Sequence, residues 1–247
     1  MQLSLTFTLL FLFSSQIFGQ ISNNKYDYFL RKMQIAGSSD SKIVVNKNNG
    51  DTTFQAYYNS RDVVNNTQQE FTKIYKGTPF FKNGWHKGKI GAESGKDIEF
   101  LMAFNIQKNE LYIVEDVKKD AIAIKPEAFS ILGHHFYKFE NAYYEIIHIS
   151  KNTLLKEYSC VLHGNNTEKT GYETSGEYEG EFVKSSKYFI LKDESVIQLP
   201  RGKNFLTLFG EKKPLVEQYV KANNINLKTE NGLVSTFKYY DSLENPQ

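Results

Sequence analysis

The chain has 247 residues, a formal net charge of +2 and an aromatic content of 15%. A charge this close to zero argues against a nucleic-acid-binding protein, and so many aromatic residues exclude a disordered chain. Because the sequence contains a single cysteine, no intramolecular disulfide can form, and a hydrophobic core must carry the fold.

The first residues, MQLSLTFTLLFLFSSQIFGQ, contain an apolar run from Leu3 to Phe13 that is followed by a more polar stretch and Gly19. This pattern is typical of a secretory signal peptide. The run is shorter than the roughly 20 apolar residues of a transmembrane helix, and no later segment approaches that length. The sequence therefore predicts a signal peptide over 1–19, no transmembrane segment in the mature chain, and a secreted or periplasmic protein.

Strand signals dominate residues 20–200, the predicted β body. After a short candidate helix over 25–33, Asn49-Gly50 separates two β-branched and aromatic runs, which predicts a tight hairpin. The segment IEFLMAFNI is apolar on both faces, so we expect it to lie centrally in a sheet. Further apolar runs follow without intervening helices, which indicates an antiparallel meander, sandwich or open barrel.

Residues 201–247 carry three apolar stripes at helical spacing. The stripes are Phe205, Leu206 and Phe209, then Leu215, Val216, Tyr219 and Val220, and finally Leu233, Val234, Phe237 and Tyr240. Gly210 has the position of a helix stop, Pro214 falls in the first turn of the next helix, and Thr229 can cap the last one. Because amphipathic helices need a surface to cover, we expect a helical cap on the β body and an α+β protein. The alternative is a basic arm that binds membranes or polyanions.

Three segments carry a family resemblance. They are GTPFFKNGWHKGKI, YYEIIHISKNTLLKEY and KNFLTLFGEKKPLVEQYVKANNINLKTENGLVSTFKYYDSL. Together they resemble a group of uncharacterised secreted proteins of Bacteroidetes, and the resemblance covers most of the mature chain. It implies export and one intact chain, and it implies no ligand, cofactor or catalytic residue.

One aromatic cluster is the strongest candidate for a ligand site. The segment PFFKNGWHKGK places Phe80, Phe81 and Trp85 beside a glycine-rich turn. Aromatic rings next to polar groups can form a platform for a glycan or a contact with another envelope protein. The same rings can instead plug the end of a β-sandwich. We take Phe80, Phe81 and Trp85 as the predicted ligand-binding residues.

Histidines and carboxylates offer an alternative, hydrolase-like site. His148 and His163 lie on neighbouring candidate strands, where Glu145 or Glu157 could join them. The spacing of these residues matches no zinc motif, so it predicts no metal site.

Cys160 shares a strand face with Tyr158 and Leu162, which is the pattern of a buried thiol and not of a nucleophile. The sequence offers no complete catalytic set and predicts no cofactor. It favours a non-catalytic binding or envelope-associated protein, with a hydrolase-like enzyme as the alternative.

Overall fold

The structure, a computed structural model, describes residues 27–30, 40–45, 52–62, 67–91, 97–114, 121–150, 152–164, 178–200 and 202–244. The predicted signal peptide and the turn residues Asn49 and Gly50 lie outside the described residues. The strands on either side of that turn pair with each other in the antiparallel sense, from Val45 opposite Thr52 onward.

Strands precede helices along the chain. The strands are β1 (Asp27–Leu30), β2 (Asp40–Val45), β3 (Thr52–Asp62), β4 (Thr67–Lys76), β5 (His86–Gly91), β6 (Asp97–Asn105), β7 (Glu110–Val114), β8 (Ile122–Ile124), β9 (Ala128–Ile131), β10 (His134–Phe139), β11 (Ala142–His148), β12 (Thr153–Gly164), β13 (Gly180–Lys192) and β14 (Ser195–Gln198). The helices are a 3-10 helix (Gly202–Lys212), α1 (Lys213–Ala222) and α2 (Glu230–Glu244). The predicted α+β class, a β-rich body with a C-terminal helical cap, is confirmed.

The 14 strands form one sheet. Its order is β1-β2-β3-β4-β13-β12-β11-β10-β9-β5-β6-β7-β8, and β14 pairs with β13. The pairing is antiparallel throughout this order except between β4 and β13, which run parallel where Tyr75 and Lys76 meet Gly180 and Glu181. The sheet is therefore mixed, although antiparallel pairs dominate it as predicted.

The sheet curls around a first hydrophobic core, the core of the body. The Phe80 ring lies 6.3 Å from the ring of Phe54 in β3 and 6.5 Å from that of Tyr112 in β7. Since β3 and β7 are far apart in the strand order, one ring can bridge them only if the sheet bends over this core. On the other wall, the Phe104 ring packs 5.1 Å from both Phe129 and Phe136.

The helical cap builds a second core on the same face of the sheet, at the other end of β12 and β13. Leu154 and Ile190, a cross-strand pair, contribute the sheet side. Phe209 contributes the cap side, with its ring 5.3 Å from Phe205 and 5.7 Å from Phe237. Each apolar stripe of the C-terminal segment thus contributes at least one buried residue to the second core, and not one of the described helices is long and apolar enough to span a membrane.

One local prediction needs correction. Residues 27–30, placed in a candidate helix, form β1, because Tyr28 and Phe29 suit a strand and pair with Ile43 and Lys42 of β2. The first cap helix is a 3-10 helix, and at Gly210 its backbone leaves helical geometry with a φ of 51°, which suits glycine and agrees with the predicted helix stop.

Two other predictions agree with the structure. The Thr229 hydroxyl accepts a hydrogen bond from the Gly232 amide at 3.2 Å and so caps α2. In β6, which pairs with β5 and β7, Met102 and Ala103 are both buried, as a strand covered on both faces requires. Ile98, at the start of β6, is 50% exposed, so this covering stops short of the strand's first residues.

Candidate functional site

The predicted aromatic cluster is buried. Relative exposures are 1% for Phe80, 9% for Phe81 and 6% for Trp85, and all three belong to the core of the body. The Phe81 ring packs edge-on against Phe136 and Tyr158. The expectation that this cluster is exposed is therefore wrong, because the rings fill the space inside the curled sheet. This burial agrees with the alternative interpretation of the sequence, in which these rings fill the end of a β-sandwich.

Residues 77–85, here called the plug, bring polar groups into the core together with hydrogen-bond partners. Asn83 accepts a hydrogen bond from the Thr78 hydroxyl at 2.7 Å and donates one to the Thr52 hydroxyl at 3.1 Å. The Lys184 side chain is exposed along β13, but its ammonium donates to the carbonyl of Phe80, where desolvation lowers the pKa of Lys184 to about 8. Because buried polar groups are costly unless paired, these bonds fix the plug as part of the fold.

The proposed histidine and carboxylate cluster does not assemble. His148 lies beside the start of β12, where its Nε2 is 2.6 Å from a carboxylate oxygen of Asp241 in α2. His163 lies at the other end of β12, about 30 Å away at the rise of an extended strand. Glu157 pairs with the residue before Glu145, so the two carboxylates leave the sheet on opposite faces. The prediction that these four residues converge is wrong.

Glu145 instead belongs to a structural network inside the body. Its carboxylate is 2.5 Å from Nδ1 of His134 and accepts a hydrogen bond from the Tyr158 hydroxyl at 2.6 Å. Burial alone would raise the pKa of the carboxyl group. The hydrogen bonds from His134 and Tyr158, helped by the charge of Lys156, outweigh burial and hold the pKa of Glu145 below its ordinary value.

This network predicts a pH dependence of stability. A carboxyl whose pKa is lower in the folded than in the unfolded state stabilises the fold above the unfolded pKa, about 4.3, and loses that contribution as the pH falls through the folded pKa. We expect Glu145→Gln to lower the free energy of unfolding by about 1 to 3 kcal/mol at pH 7 and to flatten its fall below pH 4.3. Urea unfolding between pH 7 and pH 3 measures both effects. Glu127→Gln, at an exposed carboxylate, is the control, and an equal loss in both variants would contradict the role of the network.

A hollow opens on the face of the sheet opposite the core, across β5, β9, β10 and the end of β11. Its volume is about 420 Å³. Its walls include Lys89 and Gly91 of β5, Asp97 of β6, Ala128 and Ser130 of β9, His135 and Tyr137 of β10, and residues 146–149. We call it the outer hollow. Volumes of this size are typical of sites for small ligands.

A row of three polar residues crosses the outer hollow. Ser130 is directly opposite Lys89 on one side and directly opposite His135 on the other. Ser130 alternates with the buried Phe129 and Ile131, so its side chain leaves the sheet away from the core. Directly opposed residues have Cβ atoms about 4.5 to 5.5 Å apart. An ammonium, a hydroxyl and an imidazole therefore stand side by side over the hollow.

Asp97 adds a carboxylate at the rim of the outer hollow. It pairs with Gly91 at the end of β5, and its charge acts on His135. Burial lowers the pKa of the His135 imidazole, with a further contribution from His134, while Glu145 and Asp97 act in the opposite direction. At neutral pH, His135 therefore offers a neutral ring with one hydrogen-bond donor and one acceptor.

The other end of the outer hollow is apolar. Ile146 and Ile149 line it, and Ile149 is 70% exposed. A register shift between Ile146 and His148 bends β11 here. The hollow thus has a polar part on β5, β9 and β10 and an apolar end on β11, and the hydrogen bond between His148 and Asp241 of α2 joins the apolar end to the cap.

Four aromatic side chains, beginning with Tyr137, continue the outer face. The ring of Tyr137 is 5.2 Å from Phe139, that of Phe139 is 5.9 Å from Tyr144, and that of Tyr144 is 5.2 Å from Phe189. All four are half-buried. The partly exposed aromatic surface that the sequence placed at Phe80, Phe81 and Trp85 is thus found on β10, β11 and β13.

A second groove, of about 620 Å³, lies between β13, β14 and the cap. Tyr188 and Gln198 line its sheet side, and Phe205 and Leu227 line its cap side. The Tyr188 hydroxyl there donates to Glu230 at 3.0 Å, and Lys156 donates to the same carboxylate oxygen at 2.7 Å. These bonds join the cap to the body, so this groove is part of the interface between the β body and the helical cap.

The sequence contained a weak signal for the outer hollow. In AFSIL, Ser130 is a lone polar residue between buried apolar neighbours, and His135 follows across a short turn at Leu132 and Gly133. The partnership of Ser130 with Lys89 joins residues of two strands that the chain order separates, so no local pattern could indicate it.

Among the described residues, no group of three or more histidine, cysteine or carboxylate side chains could hold a metal ion. Cys160 is a buried free thiol, and burial raises its pKa. Comparison with protein-family models, with curated proteins and with solved structures finds no match for this chain.

Proposed function

We propose that the protein is a secreted or periplasmic, non-catalytic binding protein whose ligand site is the outer hollow. The observation that carries this proposal is the polarity of the hollow, with Lys89, Ser130 and His135 at one end and isoleucines at the other. Apolar walls with a few convergent polar groups are the usual composition of small-molecule sites. The polar groups orient a ligand, and the apolar end supplies the area that binding buries.

The export half of the proposal rests on the sequence. The apolar run of Leu3 to Phe13, with Gly19 after it, and the resemblance to secreted proteins of Bacteroidetes both support it. A mass measurement of the protein from its native envelope fraction tests export. A mature N-terminus after residue 19 supports it, and an intact Met1 contradicts it.

The binding half of the proposal can be tested by filling the outer hollow. Gly91 lines the hollow, and a Cβ atom at this position would meet no other atom within 4 Å. Gly91→Phe therefore places a ring in open space without straining the fold. We expect the wild type to bind the fluorescent dye anilinonaphthalene sulfonate at a saturable site, and the variant to bind it about tenfold more weakly.

Lys192→Phe is the matched control, because Lys192 is exposed at the end of β13 and does not line the outer hollow. Its dye affinity should equal that of the wild type, and both variants should keep the wild-type circular dichroism and melting temperature. Equal dye binding by Gly91→Phe and the wild type would show that the dye binds elsewhere and would contradict the proposed site.

A further inference from the structure

We infer that the ligand of the outer hollow is a small amphiphile with one anionic head group, such as a carboxylate, and an aliphatic body. This inference rests on the proposed function and adds the chemistry of the ligand. It depends on which groups stand at each end of the hollow.

The head group is set by the polar row. Lys89 carries three donors and no acceptor, the Ser130 hydroxyl can donate, and the His135 ring can donate through one nitrogen. Adjacent strands are about 4.8 Å apart, so the three side chains span about 10 Å across β5, β9 and β10. A carboxylate above Ser130 lies within reach of donors on both sides, and its hydrogen bond from the Lys89 ammonium is charge-assisted.

Asp97 modifies this preference without reversing it. Its carboxylate stands at the rim, beyond Gly91, and opposes an anionic head. Since Ser130 occupies the middle of the row, between Lys89 and His135, the head would lie nearer to these three residues than to the rim. Removing the Asp97 charge should therefore tighten the binding of an anion and weaken that of a cation. The effect of this change tests whether the head group of the ligand is negatively charged.

The body of the ligand is set by the isoleucines. Ile146 and Ile149 present branched aliphatic surface, against which the burial of an aliphatic chain is favourable. A volume of about 420 Å³ is near the lower end of small-molecule sites. This space suits a medium-length aliphatic chain and not a long oligomer.

Three probes with the same aliphatic tail separate the possible head groups: octanoate, octyl glucoside and octylammonium. Each is titrated into the full chain by calorimetry, below its critical micelle concentration. We expect octanoate to bind about tenfold more tightly than either of the others. Phosphatidylglycerol vesicles form a fourth sample, and vesicle binding that Gly91→Phe abolishes would assign the anionic head to a membrane lipid rather than a free acid.

Two variants and a control test the residues. Lys89→Met keeps the aliphatic stem and should weaken octanoate binding about tenfold, while Asp97→Asn should strengthen it about twofold to threefold. Lys87→Met is the matched control, because Lys87 lies two residues earlier on the same face of β5, pairs with Glu99 and does not line the hollow. It should leave the affinity unchanged.

The outcomes distinguish the two proposals. If octyl glucoside binds as tightly as octanoate and Lys89→Met changes neither, the anionic head is wrong while the binding site stands. If octylammonium binds most tightly and Asp97→Asn weakens its binding, the head group of the ligand is cationic and the proposed anionic head is wrong. If none of the probes binds, or Gly91→Phe binds them as the wild type does, the proposed function itself fails.

Discussion

Trp85→Ala should lower the free energy of unfolding by about 3 to 5 kcal/mol, because truncating a buried aromatic ring removes its burial and leaves a cavity. Trp85 is 6% exposed and belongs to the core of the body. For a chain of this size, such a loss corresponds to a fall in melting temperature of roughly 10 °C. Thermal melting followed by circular dichroism, together with urea unfolding, measures both quantities.

Phe71→Ala is the control for Trp85→Ala. Phe71 is 44% exposed on β4 and stacks on Tyr58 at 5.2 Å, so its truncation should cost much less. A Trp85→Ala protein that melts at the wild-type temperature would contradict the burial of the plug. It would also reopen the interpretation of Phe80, Phe81 and Trp85 as a surface platform.

Phe209→Ala should destabilise the whole protein by about 3 to 5 kcal/mol, in a single cooperative transition. Phe209 is 2% exposed, and its ring packs against Phe205, Phe237 and Tyr240 at 4.9 to 5.7 Å. Because the second core also contains Leu154 and Ile190 of the long strands, loss of the cap exposes the sheet. Body and cap should therefore unfold together.

Two variants at less buried positions provide the comparison for Phe209→Ala. The double variant Lys212→Glu and Lys213→Glu should barely move the melting temperature, because surface charges contribute little to stability. Leu215 is 44% exposed, so Leu215→Ala should cost far less than Phe209→Ala. Two separate transitions in Phe209→Ala, with the body melting as in the wild type, would favour the interpretation of the C-terminal segment as a free arm.

Local periodicity explains which parts of the fold were predictable. The apolar residues on both faces of β6 and the apolar stripes of α1 and α2 identify surfaces that other elements must cover, and each pattern lies within a few residues of the chain. Gly210 and Thr229 mark helix boundaries for equally local reasons. Leu215 shows the limit of this reasoning, because it belongs to an apolar stripe and is nevertheless exposed.

The plug was not predictable in the same way. An aromatic pair beside a glycine-rich turn has the same local sequence whether it projects into solvent or enters a core. Phe80 is buried because Phe54 and Tyr112, which are distant in sequence, come together around it. The parallel contact between β4 and β13 depends on long-range pairing for the same reason.

The outer hollow depends on strand order even more strongly. Lys89 becomes the neighbour of Ser130 only because β9 inserts between β5 and β10. In the sequence, each residue of the polar row is an ordinary outward-facing residue of a strand. For His148 and His163, the sequence predicted a contact that does not exist. Neighbouring strands were expected to bring the two side chains together, but the length of β12 keeps them apart.

Chemical-shift mapping of backbone amides during a titration with octanoate tests the central claim most directly, since it locates the bound ligand on the protein. We predict shift changes centred on Ala128, Ser130, His135 and Ile146, with the same changes absent from Gly91→Phe. Changes centred on Tyr188 and Leu227, in the groove between β13 and the cap, or scattered over the surface without saturation, would contradict the assignment of the outer hollow as the ligand site.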